Sequence, residues 1–163
     1  MKKFVSLHNH SEYSVLDGAN FVEDMASKAK ELGFQALGLT DHGNLGGTRQ
    51  FFHECKSNKI QPIIGMEAYF VEDRTIKDQA LRYYHLCVFA KNNKGYKNLL
   101  KLSTEAYKTG FYYKPRIDWD LLNQYGSDLI ISGACLQGPV NYNLLNNNEE
   151  IQSIQLTLGF LPP

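Results

Sequence analysis

The chain has 163 residues, and its 17 basic side chains balance 17 acidic ones, so the formal charge is zero. Hydrophobic residues make up 43% and aromatics 12%, which supplies one globular core and excludes a mainly disordered chain, while the even charge argues against a purely electrostatic DNA binder. The start is too weakly apolar for a signal peptide, no run approaches the ~18 apolar residues of a membrane span, and Cys55, Cys87 and Cys135 are too scattered for a disulfide framework, so a cytoplasmic single domain without membrane association is expected.

Residues 4–7 read as a strand ending at His8. Asn20 with Glu23 three residues on is a variant capping box. Behind it Phe21, Met25, Ala29 and Leu32 recur at helical spacing until Gly33. Residues 36–40 predict a second strand and 49–59 a helix with Phe52 and Cys55 on one face. Pro62 leads into a third strand over 63–70, and 86–90 make a fourth. Tyr96, Leu99, Leu100, Ser103 and Tyr107 mark the buried stripe of a long helix. Residues 129–132 are a fifth strand, and 140–146 begin another helix. Strands alternating with helices predict an α/β fold with parallel strands, and nothing in the composition marks a domain boundary.

Residue types that carry chemistry fall near most of these strand ends. His8 and His10 are two apart, so in extended backbone both imidazoles point the same way and can face one ion, although polar residues at a strand end read the same. Asp17 follows in a Leu-Asp-Gly turn. Thr40-Asp41-His42-Gly43 comes directly after a buried strand, where α/β enzymes display functional groups. Asp41 could ligate a metal, orient a ligating His or simply cap the next helix. Glu67 lies in an apolar strand, where a carboxylate needs a cation or a donor to offset its burial; an ordinary buried ion pair is the competing account.

His85 stands at the start of its apolar run, so a hairpin or irregular barrel is needed to bring it to the others; a lone His there is otherwise a core residue. Cys135, in Ser132-Gly-Ala-Cys-Leu-Gln-Gly138, could be a soft ligand, a nucleophile or a packing residue. His53, next to Phe51 and Phe52 on a helix, reads as surface or packing. Imidazoles, carboxylates and one thiol together suit Zn, Mn or Fe, and their spread over successive strands suits a site for more than one ion, which favours phosphoester hydrolysis. No Gly-x-Ser-x-Gly elbow and no phosphate-binding Gly-rich loop occurs. Residues 91–116 hold Lys91, Lys94, Lys97, Lys101, Lys108, Lys114 and Arg116 with interleaved aromatics. This is either a surface for single-stranded nucleic acid, or a solvated helix face whose aromatics pack inward or against a neighbouring domain.

Phe-Val-Ser-Leu-His-Asn-His-Ser-Glu-Tyr-Ser-Val-Leu-Asp-Gly-Ala (4–19), Leu-Thr-Asp-His-Gly-Asn (39–44) and Pro-Ile-Ile-Gly-Met-Glu (62–67) resemble the PHP (polymerase and histidinol phosphatase) domain. Ala-Lys-Asn-Asn-Lys-Gly-Tyr-Lys-Asn-Leu (90–99) and Gly-Phe-Tyr-Tyr-Lys-Pro-Arg-Ile-Asp (110–118) are similar to the form at the N-terminus of bacterial DNA polymerase III alpha subunits, and argue against a stand-alone histidinol phosphatase. The resemblance implies a distorted TIM-like β/α barrel and a multinuclear site. Its metal ligands would be His8, His10, Asp17, His42, Glu67, His85 and Cys135, with Asp41 and His42 as candidates for a catalytic role.

The same resemblance implies metal-dependent phosphoester hydrolysis, including 3′–5′ proofreading, or else a degenerate domain that only supports a polymerase. The polymerase carboxylates themselves would lie outside this chain. Two departures stand out: relatives carry a second Gly and an acidic residue around Leu136, and the family's closing Asp-x-His motif is absent, with no His after His85. The expectation is therefore an incomplete barrel with an atypical tail over 146–163, partnered by further polymerase domains or a downstream chain, and with weakened activity when alone.

Overall fold

The computed structural model describes residues 4–146. Six strands, β1 (Ala36–Leu39), β2 (Gln61–Phe70), β3 (Tyr84–Ala90), β4 (Phe111–Tyr112), β5 (Lys114–Ile117) and β6 (Leu129–Gly133), form one sheet. Its neighbours run β4-β5-β2-β3-β6, with β1 also paired to β2. Five helices complete the described chain: α1 (Val22–Glu31), α2 (Thr48–Ser57), α3 (Asn93–Thr109), α4 (Trp119–Tyr125) and α5 (Pro139–Leu145). None of them is long and apolar enough to cross a membrane. Apart from Asn146, the tail expected to be atypical lies outside the described residues.

The mixed α/β class agrees with the sequence, but the all-parallel expectation does not hold. β2 is parallel to β1 and β5, whereas β3 is antiparallel to both β2 and β6. This reversal sets Tyr69 opposite His85 and Glu67 opposite Cys87. The hairpin-like geometry that His85 demanded is therefore present. Because side chains alternate across a strand, Met66, Ala68, Phe70, Leu86 and Val88 face the other way, into a core closed by Leu99, Leu102, Leu121 and Leu122 of α3 and α4. A second core joins Val22, Ala26 and Ala29 of α1 to Leu37, Leu39, Phe51 and Cys55.

Several local expectations shift. The first predicted strand contracts to one bridge, Ser6 to Leu37, with Gly38 N–H donating to Ser6 O (2.8 Å) and Thr40 N–H to Asn9 O (2.9 Å). Asn20 does not cap α1: the helix starts at Val22, whose N–H donates to the Glu12 carboxylate at 3.0 Å. The predicted stripes hold at Ala29, Cys55, Leu99 and Ser103, which are buried, and shift at their other positions. Phe21, Leu32, Phe52, Leu100 and Tyr107 are exposed, while Val22, Ala26, Phe51, Leu102 and Ala106 are buried. Packing against the sheet, and for α1 against α2 as well, selects the stripe, and a neighbouring large apolar residue is left in water.

Candidate metal centre

Glu67 is the hub of the site. It lies in the middle of β2 and is only 1% exposed. His8 Nε2 is 2.7 Å and His10 Nε2 2.9 Å from its Oε2, His85 Nδ1 is 2.9 Å from its Oε1, and His42 Nδ1 is 3.5 Å from Oε2. His8 and His10 bring their Nε2 atoms to 3.2 Å of each other. Asp17 Oδ2 stands 3.1 Å from His42 Nε2, on the solvent side. Cys135 Sγ is 3.7 Å from His85 Nδ1 and accepts from Gln137 N–H at 3.3 Å. All seven residues singled out as ligands therefore meet at one place.

Backbone pairing explains how. The chain leaving β1 stays against β2: Glu67 N–H donates to Asp41 O (3.0 Å) and Gly43 N–H to Glu67 O (2.9 Å), so His42 is delivered beside Glu67. The loop carrying Asp17 closes so tightly that a Cβ on Gly18 would collide with Ser11 O. His85 is fixed at the mouth of β3 by its N–H, which donates to Gln137 O at 3.0 Å and ties it to the Cys135 loop.

Asp41 has a different place from the one expected for a catalytic group. It is buried, and its carboxylate accepts from Ser11 N–H, Ser11 Oγ–H and Ser14 Oγ–H, each at 2.7 Å. Among the described residues no hydrogen bond joins it to an imidazole, and Ser14 is its link to the site. Because the Ser14 proton goes to Asp41, Ser14 Oγ can only accept from His10 Nδ1, 3.1 Å away. This contact orients the His10 ring, with Nε2 2.9 Å from Glu67 Oε2 and 3.2 Å from His8 Nε2. Sequence reasoning passed over Ser11, Ser14 and Cys87; serines in a loop carry no periodic signal, and Cys87 reads as an ordinary strand residue.

The electrostatics point the same way. Burial disfavours a charged Glu67, but hydrogen bonds from His10, His8 and His85 outweigh it and hold the carboxyl far below the usual range. Hydrogen bonds to Cys87 and Glu67 push the His8 imidazole up to about 10 against the cost of its burial. Burial lowers His42, only partly offset by Glu67. A neutral His42 that donates from Nε2 to Asp17 turns an unprotonated Nδ1 toward Glu67. That Nδ1 is buried and has no hydrogen-bond partner.

An acceptor facing an acceptor across 3.5 Å is unfavourable unless a cation lies between them. Three overlapping sets could hold one: His8, His10 and Glu67; His10, Asp17 and His42; and His42, Glu67 and His85, each with ligand atoms within 4.8 Å of one another. The donor set fits a divalent metal.

Comparison with known proteins agrees with this geometry. Residues 6–158 match the PHP domain. The chain belongs to the PHP domain family. This PHP domain is 50% identical over 149 residues to the DNA polymerase III subunit alpha of Helicobacter pylori, covering 91% of the chain and 12% of that protein. It is 50% identical over 155 residues to the Aquifex aeolicus subunit, covering 89% and 13%. The PHP chain thus spans about an eighth of the length of these relatives, at their N-terminal end. A solved Bifidobacterium adolescentis protein assigned as a metal-dependent phosphoesterase superposes with a TM-score of 0.50 at 16% identity, over 66% of this chain and 34% of that one. The shared fold makes the described sheet and helices part of a TIM-like barrel.

Proposed function

We propose that this PHP domain is the N-terminal part of a DNA polymerase III alpha subunit and that its His–Glu cluster binds divalent zinc, manganese or iron for phosphodiester hydrolysis, of the kind used in 3′–5′ proofreading. The observation that carries the reading is the buried, unpartnered His42 Nδ1 turned toward the Glu67 carboxylate. His8, His10, Glu67, His42 and His85 would hold the metal, with Asp17 and Cys135 at the rim. Such an ion polarises a phosphoryl oxygen and lowers the pKa of a bound water.

The chain supplies the rest. Asp41 and Ser14 orient the His10 ring, and Asp17 stands beside His42 Nε2 on the open side. β2 and β3 keep Glu67 and Cys87 out of bulk solvent. DNA synthesis, the polymerase carboxylates and the partner domains would belong to the remainder of such a subunit.

Metal analysis of the purified protein, with turnover of a nucleotide phosphodiester in added manganese or zinc, tests the reading. Metal and activity present in the parent and lost in the His8→Ala/His10→Ala variant support it. A parent that takes up neither metal leaves a domain that only supports a polymerase.

A further inference from the structure

The seven basic residues of 91–116 are not equivalent. Lys94 and Lys108 on α3 pair with Asp128 (2.9 Å) and Glu105 (3.2 Å), and Arg116 is 2% exposed and donates to Gly110 O and Arg74 O. Lys114 is different. Its ammonium lies 5.2 Å from the centre of the Tyr69 ring, and that ring stacks on His42 (5.6 Å, 16°). Among the described residues Lys114 makes no ion pair with a carboxylate. The hairpin that bears it is firmly seated, with Pro115 against Gly43, and Gln79 Nε2–H donating to Tyr113 Oη at 2.9 Å.

Beside the cluster is a cavity of about 540 Å³ lined by Arg82, Tyr83, His85 and Gln137, among others, a volume in the range of small-molecule sites. Tyr83 lies parallel to His85 (5.9 Å, 6°) and edge-on to Tyr69 (5.3 Å). The residue is 39% exposed. Arg82 is held in place, donating to Gln137 Oε1 at 2.6 Å with its guanidinium 3.4 Å over the Tyr142 ring.

We infer that Lys114 and Tyr83 are the substrate-positioning residues of this site, and that they fit the end of a single-stranded nucleic acid. Lys114 supplies an unpaired positive charge for a backbone phosphate next to the imidazole cluster, and Tyr83 offers a face on which a terminal base stacks. A phosphate with a stacking base satisfies both groups at once, whereas a simple phosphomonoester uses only the first. This rests on the proposed function for its chemistry, but it can be read by binding alone.

The test is fluorescence anisotropy of a 5′-labelled oligothymidylate with the whole 163-residue chain, in zinc and again in chelator. Lys114→Met should weaken binding about tenfold and Tyr83→Leu by a similar factor, while Lys114→Arg restores most of the loss. Lys94→Gln/Lys97→Gln/Lys101→Gln on α3 should change it less than about twofold. Unfolding curves matching the parent's would show that the variants are folded. The inference is overturned if the parent does not bind the probe, if Lys114→Met binds as the parent does, or if the α3 variant loses as much. Binding lost only on Lys114 or Tyr83 replacement, in a protein that takes up no metal, would sink the proposed hydrolysis and leave this inference standing.

Discussion

Gly43 and Pro115 approach so closely that a Cβ on the glycine would stand 2.7 Å from the proline Cγ. Gly43 also has φ +64°, in the left-handed region. The turn that delivers His42 and the hairpin that delivers Lys114 are thus locked together, with Tyr69 between them, 3.1 Å from the same Cβ position.

Gly43→Ala should therefore disturb both at once. A left-handed non-glycine residue costs ~1–2 kcal/mol and overpacking ~1–3 kcal/mol, so urea unfolding should report a loss of about 2–5 kcal/mol. An unfolding midpoint equal to that of the parent would mean that the hairpin does not sit on this turn.

Ser14→Ala removes the acceptor for His10 Nδ1 and for the His42 backbone N–H, and leaves Asp41 with two of its three donors. Losing an orienting partner of this kind typically costs about 10–100-fold in metal affinity. Competition against a chromophoric chelator should show a decrease in that range. Unchanged affinity would separate Ser14 from the site.

Asp41→Asn tests the placement of that residue as an anchor. Its carboxylate is surrounded by donors, and an amide must turn its own donor toward one of them. A loss of about 2 kcal/mol or more in the metal-free protein is expected. A variant that keeps its stability and loses only turnover would instead make Asp41 catalytic.

The metal-free protein should be most stable near neutral pH. His8 is raised to about 10, so its contribution is complete below the unfolded value of 6.5 and is lost as the pH rises through about 10. His42 is lowered, so its contribution is present above 6.5 and lost as the pH falls. Glu67, also lowered, contributes above 4.5 and loses that contribution in acid. Urea midpoints in chelator should fall on both sides of pH 7, and midpoints that climb steadily to pH 10 would contradict the His8–Glu67 pairing. Metal must displace the His8 proton, so its affinity should rise with pH.

The site was more legible in the sequence than the fold around it. His8, His10, His42 and Glu67 stand out because imidazoles and a carboxylate at strand ends, or inside apolar runs, have few structural explanations. His85 was legible only as a conflict with parallel strands, and the antiparallel turn of β3 resolves it. The role of Asp41 was hidden, since its partners Ser11 and Ser14 lie about thirty residues upstream and have no patterning of their own. β4, β5 and α4 were not separated within 111–125 because two- and four-residue strands, one containing Pro115, leave no periodicity to read.

The sequence distances inside the cluster have a kinetic consequence. His8 reaches Glu67 across 59 residues and Cys135 reaches His85 across 50. No helix or tight turn, which form in microseconds, brings any of these pairs together. The first pair requires β1 and β2 to have paired and the second β3 and β6, so both contacts are expected late on the folding path. Whatever occupies such a site holds the finished structure and not the route to it: it slows the escape from the native state while leaving the rate of arrival nearly untouched. The cluster is a latch, and the half-life of the folded protein is the quantity that its occupant sets.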